Sequence, residues 1–372
     1  MRRSLKLFFL LLISFVFQIE AQEITVTVDP RVELLSIIFR LAGNPEYNMC
    51  RIPSYNSAVD NYFNKYKDHP LIKFAIDQRS AYGISFDACM SMAVHINNID
   101  SVGERGSFDF PGIALEKRWR VDDARKFLKL AKHFVIDTKF MDFFNSQKEL
   151  YDNSIERMVN FMQSTININW FEKYFGEKAK GDFNVVLGMC NGAGNYGVKF
   201  VTSNGSEELY AIMGIYDVDK KGIPKFDPSF TSTIVHEFSH SFINHIVEKH
   251  KYDFEKAGSR LFDEVKSQMK RQAYGNWKTM MDESLVRASV IRYSAENPNP
   301  YVGANIIMQM QIKIEIKNSF LWIEELTNLL EVYEKSREKY STLESYLPVI
   351  AKYFNELTGR FDDLKKKIEK TN

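Results

Sequence analysis

The sequence predicts an α+β protein, mostly helical, in which a small antiparallel sheet packs on one central helix between a helical N-terminal lobe and a set of C-terminal helices. Three observations carry this. Apolar residues recur at three- and four-residue steps over most of the chain, the sign of amphipathic helices. Between Phe183 and Tyr216 that pattern gives way to short runs rich in β-branched and aromatic residues, separated by glycine- and asparagine-rich turns. Directly afterwards comes one long helical run containing His236-Glu237-Phe238-Ser239-His240.

Taken in order, Ile24, Val26 and Val28 alternate with polar residues and predict a short strand. Asp29-Pro30 then caps a helix that runs to Ala42 and stops at Gly43, since Asp accepts from the free N–H groups of the first turn and Pro tolerates the first position. Helices follow over Tyr55–Lys67, His69–Arg79, Ile84–Ile96, Val121–Phe134, Thr138–Asn145 and Lys148–Trp170. Asn184–Gly188, Gly197–Thr202 and Glu208–Ile215 read as three strands joined as hairpins. Asp227-Pro228 repeats the cap signal and opens the histidine-bearing helix, expected to reach Lys249. Helices over Tyr252–Ala273, Asn276–Tyr293, Val302–Lys317, Ser319–Tyr340 and Glu344–Lys370 complete the chain. No linker divides it, so residues 22–372 read as one domain: a mainly helical lobe (22–175), a core (176–300) and C-terminal helices (301–372).

Composition bounds the partners. With 49 basic and 48 acidic residues among 372, and a net charge of +1, the chain sets up no field that favours nucleic acid or an anionic membrane. The glycines at Gly192 and Gly194 lack the Lys-Ser/Thr ending and following helix of a phosphate loop. Arg2, Arg3 and Lys6 precede an apolar run from Leu7 to Phe17, too short to span a bilayer, so residues 1–21 read as a signal peptide cut after Ala21. The expectation is a secreted or periplasmic protein with no stable membrane insertion after cleavage. Three cysteines, Cys50, Cys89 and Cys190, are too few and too far apart for a disulfide framework; one bridge and a free thiol is the most they allow.

The chemistry lies in the central helix. Two histidines four positions apart stand about 40° apart around a helix, so both imidazoles reach one tetrahedral Zn2+, and Glu237 stands beside them. A structural zinc site has no use for that carboxylate, whereas a hydrolase needs a base for its water, the role expected of Glu237. Catalytic zinc takes three protein ligands. Glycine and histidine three and six positions after His240 would mark a metzincin, but Ile243 and Ile246 stand there. The third ligand must come from elsewhere, and Glu283, a carboxylate in an apolar helix 43 positions after His240, is the best candidate. Pairing with Arg287 one turn on is its competing explanation, and Asp282 is the nearest rival ligand. His245 and His250 fall about 140° and 280° around the helix from His240, off the ligand face. Tyr293 and Tyr301 are the candidates for a donor to the developing oxyanion, with plain packing as the alternative for each.

The His236-Glu237-Phe238-Ser239-His240 helix followed by Asp282-Glu283-Ser284-Leu285-Val286-Arg287-Ala288 resembles the gluzincin branch of zinc metallopeptidases, which implies a zincin-like core. It departs from thermolysin-like members in carrying Arg287 where they have an aspartate, and in about twice their distance from second histidine to glutamate. Most of the chain, including Val32–Asn48 and Gly83–Asp87, also resembles an uncharacterised family of secreted Bacteroidetes-type proteins with this motif. The resemblance implies His236 and His240 as ligands and Glu237 as base. The expected function is an exported zinc peptidase acting on a peptide or protein substrate. The alternatives are a secreted binding or scaffold protein with a vestigial metal site, a helical surface-interaction protein without metal, and a zinc amidase acting on a non-protein amide.

Overall fold

The computed structural model describes residues 24–110, 113, 115–178, 181–203, 205–272, 274–298 and 304–371. The expected signal peptide and Tyr301 lie outside the described residues. The N-terminal strand β1 (Ile24–Thr27) leads into α1 (Pro30–Leu41), capped as expected by the Asp29 carboxylate, which accepts from the Arg31 N–H at 2.8 Å. The helical lobe continues with α2 (Pro53–Phe63), α3 (Pro70–Tyr82), α4 (Asp87–Val94), α5 (Val121–Thr138) and α6 (Phe140–Ser146). The single helix expected over Lys148–Trp170 is two, α7 (Lys148–Thr165) and α8 (Asn169–Phe175). Ile166 takes an extended backbone, and the groups freed at the break are bound by the Tyr293 hydroxyl, which accepts from the Asn167 N–H at 2.7 Å and donates to the Thr165 carbonyl at 3.1 Å.

The three strands after the lobe are β2 (Gly181–Gly188), β3 (Tyr196–Val201) and β4 (Glu207–Gly214). They do not form the expected antiparallel meander. The sheet is mixed, in the order β1-β2-β4-β3, with β1, β2 and β4 parallel and only β3 antiparallel, paired to β4 at the edge. The reason lies in β2: Val185, Val186, Leu187 and Gly188 are all buried, so both of its faces are covered and it needs a strand on each side. The seven residues Met189 to Asn195 therefore carry the chain past the β4 position, and the Asn195 side chain ties this crossing down by accepting from the Gly214 N–H at 3.0 Å. A two-stranded ribbon, β5 (Asp217–Val218) and β6 (Pro224–Lys225), follows.

Helices cover both faces of the sheet. On β3, Phe200 meets His95 at the end of α4, while Gly197, on the opposite face by strand alternation, meets Glu237 of α9 (Pro228–Lys249). Phe183 of β2 stacks on Phe238 of α9 with ring centroids 4.2 Å apart. The remaining helices are α10 (Lys251–Arg271), α11 (Trp277–Glu296), α12 (Ala304–Lys317), α13 (Ile323–Lys335) and α14 (Leu343–Thr371). Of these, α11 lies against α9 and is buried along most of its length, which brings a second helix to the histidines. One continuous apolar core runs through lobe, sheet and C-terminal helices. Among the described residues no helix is long and apolar enough to cross a membrane.

Candidate metal centre

On α9 the 3.6-residue repeat buries Ile234, Val235, Phe238, Phe242 and Ile243 and leaves His236, Glu237 and His240 half-buried on the neighbouring flank. The histidine side chains keep 21% and 23% of their surface exposed, enough for a ligand to reach them from one side. From α11, Glu283 arrives at the same point. Its Oε1 lies 3.4 Å from His240 Nε2 and its Oε2 lies 3.6 Å from His236 Nε2, while the two Nε2 atoms are 3.2 Å apart.

These separations bear on the group the sequence implies. Bonds of about 2.0–2.1 Å at tetrahedral angles separate neighbouring zinc donors by about 3.3 Å. The Nε2–Nε2 separation and the approach of one carboxylate oxygen to each ring lie close to that value, and with one ligand atom from each residue all three donors stand within 4.8 Å of one another, so the set fits zinc in ligand type and approximate spacing. The other ring nitrogen of His240 also has a partner: Nδ1 faces Asn244 Oδ1 at 3.0 Å, which makes Nδ1 the protonated nitrogen and leaves the Nε2 lone pair for a metal.

The electrostatics follow from crowding these groups in a site of low polarity. Burial pushes His236 down to about 3, with His240 and Arg287 adding to the effect against Glu283. Burial also disfavours a charged His240, but the Glu283 carboxylate outweighs it and raises that ring to about 9, aided by Glu237 and Asn244. Burial works to raise Glu283 too, and His236, His240 and Arg287 together hold it well below the usual carboxylate range. Glu283 is thus built to face a cation, whether a proton on His240 or a divalent metal. Glu237 is raised to about 7 by burial and by Glu283, with His240, Arg287 and the backbone N–H of Gly197 opposing. A carboxylate poised near neutrality is suited to take up and return a proton.

Glu283 meets Arg287 as well as the histidines. Arg287 Nε donates to Glu283 Oε2 at 3.1 Å, and the Tyr274 hydroxyl donates to the same oxygen at 3.0 Å. Arg287 further donates to Tyr274 at 2.7 Å and to Glu315 of α12 at 2.5 Å. The arginine that stands in place of the thermolysin-like aspartate therefore fixes the glutamate rather than a histidine. Asp282 turns away to Lys278 at 3.0 Å. His245 and His250 lie off the site as their angles predict, facing Glu177 at 3.4 Å and Glu344 at 3.1 Å.

Tyr293 is not brought to the donors. It lies ten positions beyond Glu283, about 15 Å along α11, and its hydroxyl is engaged at the α7–α8 break. It lines a cleft of about 350 Å³ with Thr165, Asn167, Thr231 and Ser232, and Ser232 precedes His236 by one turn on the same face of α9. Three residues at the centre went unread in the sequence. Asn244 was legible, being four positions after His240 on the ligand face. Tyr274 and Gly197 carried no signal, because a loop and a distant strand place them.

Residues 24–353 match the family described as Domain of unknown function (DUF4932). The chain belongs to that family. No curated protein and no solved structure is significantly similar to it. The DUF4932 match spans β1 to α14, so the three donor residues all fall within it.

Proposed function

We propose that this DUF4932 chain is an exported zinc-dependent peptidase of gluzincin type with a zincin-like core, in which His236, His240 and Glu283 hold the metal and Glu237 is the general base. The observation that carries this reading is the meeting of His236, His240 and Glu283, whose donor atoms stand within 4.8 Å of one another, with the Glu237 carboxylate on the same helix as the two histidines. Zinc, when bound, supplies Lewis-acid activation of a water molecule and of the scissile carbonyl.

The chain's own residues do the rest. Glu237 takes a proton from the attacking water and delivers it to the leaving amine. The edge strand β3 passes Gly197 directly over Glu237, and its unpaired side offers backbone N–H and C=O groups to an extended peptide. Tyr274 and Arg287 both donate to Glu283 and orient it as a ligand. The cleft lined by Ser232 and Tyr293 adjoins this track along α9 and is uncharged, which favours uncharged substrate side chains.

The test joins elemental analysis to a peptide library. One zinc per chain and cleavage of at least one peptide are expected, with Glu237→Gln keeping the metal and losing cleavage. Full activity in Glu237→Gln would sink the mechanism. Bound zinc without hydrolysis of peptides or other amides would leave a binding protein.

A further inference from the structure

Two of the three cysteines, far apart in sequence, meet in the fold. Cys50 lies between α1 and α2, and Cys190 is the second residue after β2. The Cys50 Sγ is 3.2 Å from the carbonyl oxygen of Met189, the residue joined to Cys190, and 3.6 Å from that of Ile52. The two backbones are pressed together alongside: a Cβ added to Gly192 would stand 2.6 Å from the Met49 carbonyl oxygen. Both thiols are free, and Cys89 is buried on α4.

We propose that Cys50 and Cys190 form a disulfide that locks the segment before α2 onto the turn between β2 and β3. Cys190 is fully buried and Cys50 only partly, so exchange starts at Cys50. Hydrogen bonding from Cys190 lowers the Cys50 thiol, which favours the same order. A donor disulfide, of the class of oxidised glutathione or an oxidoreductase disulfide, is attacked by the Cys50 thiolate. Its S–S bond breaks, a mixed disulfide forms, and one donor thiol leaves with the Cys50 proton. Cys190 then attacks the Cys50 sulfur, and the second donor thiol leaves with the Cys190 proton. Two protein thiols are oxidised and one donor disulfide is reduced to two thiols.

The position gives the bond its role. It closes a ring that runs from α2 through β2, which restrains the unfolded chain. It also anchors the turn that feeds β3, the strand whose Gly197 lies on Glu237. The inference needs no metal and stands apart from the peptidase reading.

The purified chain is incubated with oxidised glutathione or with dithiothreitol, then denatured for thiol counting and peptide mapping. Oxidation should lower the count from three thiols to one, yield a Cys50–Cys190 cross-linked peptide, and raise Tm by roughly 5 °C over the reduced form. Cys89→Ser should go from two thiols to none. Three persisting thiols, a bridge through Cys89, or glutathione left on Cys50 would overturn the pairing, and an unchanged Tm would overturn the lock. The wild-type count and map decide the pairing even where a cysteine variant fails to fold.

Discussion

Glu283 and Arg287, one turn apart on α11, are bonded to each other at 3.1 Å, yet Glu283 still presents Oε1 to His240 at 3.4 Å. A carboxylate has two oxygens, and here each faces one histidine, Oε1 meeting His240 and Oε2 standing 3.6 Å from His236. Oε2 receives Arg287 and Tyr274, and this fixes the plane in which Oε1 meets the histidine. The two explanations open for Glu283 from sequence, metal ligand and partner of Arg287, are therefore compatible in one geometry.

Replacing Arg287 by Met keeps the bulk and removes the clamp. Zinc affinity should fall roughly 10-fold or more, the usual effect of losing a group that orients a ligand. Competition with a chromophoric chelator measures it, and an unchanged affinity would mean that packing alone positions Glu283.

Gly197 is the one place on β3 where a side chain cannot be accommodated. A Cβ there would lie 2.1 Å from Glu237 Oε2, so Gly197→Ala must displace the carboxylate. Hydrolysis should fall at least 10-fold while zinc content stays at the wild-type level, because the three donors are untouched. Loss of metal in this variant would instead show that the strand supports the histidines.

Away from the centre, Glu33 on α1 is fully buried and accepts from the Tyr55 hydroxyl at 2.5 Å and the Met189 N–H at 2.7 Å. Burial raises its carboxyl to about 7 against those two bonds. The folded state therefore holds this proton more tightly than the unfolded one. Its contribution is fully present below the unfolded carboxylate range and is lost as pH rises through about 7. The loss is on the order of 3 kcal/mol. Denaturant unfolding of the reduced, metal-free chain at pH 5 and pH 8 should show it, and Glu33→Gln should flatten the difference while the other titrating groups remain.

Tyr293 makes a contrary prediction to that of a catalytic residue. Its hydroxyl closes the backbone at the α7–α8 break, so Tyr293→Phe should cost about 1–2 kcal/mol of stability by leaving two backbone groups without that partner. Peptide hydrolysis should stay within about twofold of wild type when measured well below the melting temperature. A large drop in kcat with unchanged stability would restore the hydroxyl to the reaction.

What residue order alone determined is what depends on short-range geometry. A helix repeats every 3.6 residues, so the two histidines, their outward neighbours His245 and His250, and the Asp-Pro caps of α1 and α9 were legible one turn at a time. Only the tertiary structure decided the rest. That Glu283 rather than Asp282 meets the histidines depends on the rotation of α11 against α9, and adjacent carboxylates on one helix differ by about 100°. That β3 crosses to the sheet edge and lays Gly197 on Glu237 depends on β1 and β4 taking the two sides of β2, and the β1 partners come from more than 150 residues away in the chain. Local periodicity encodes which side chains share a face. Which faces meet is a property of the packed whole.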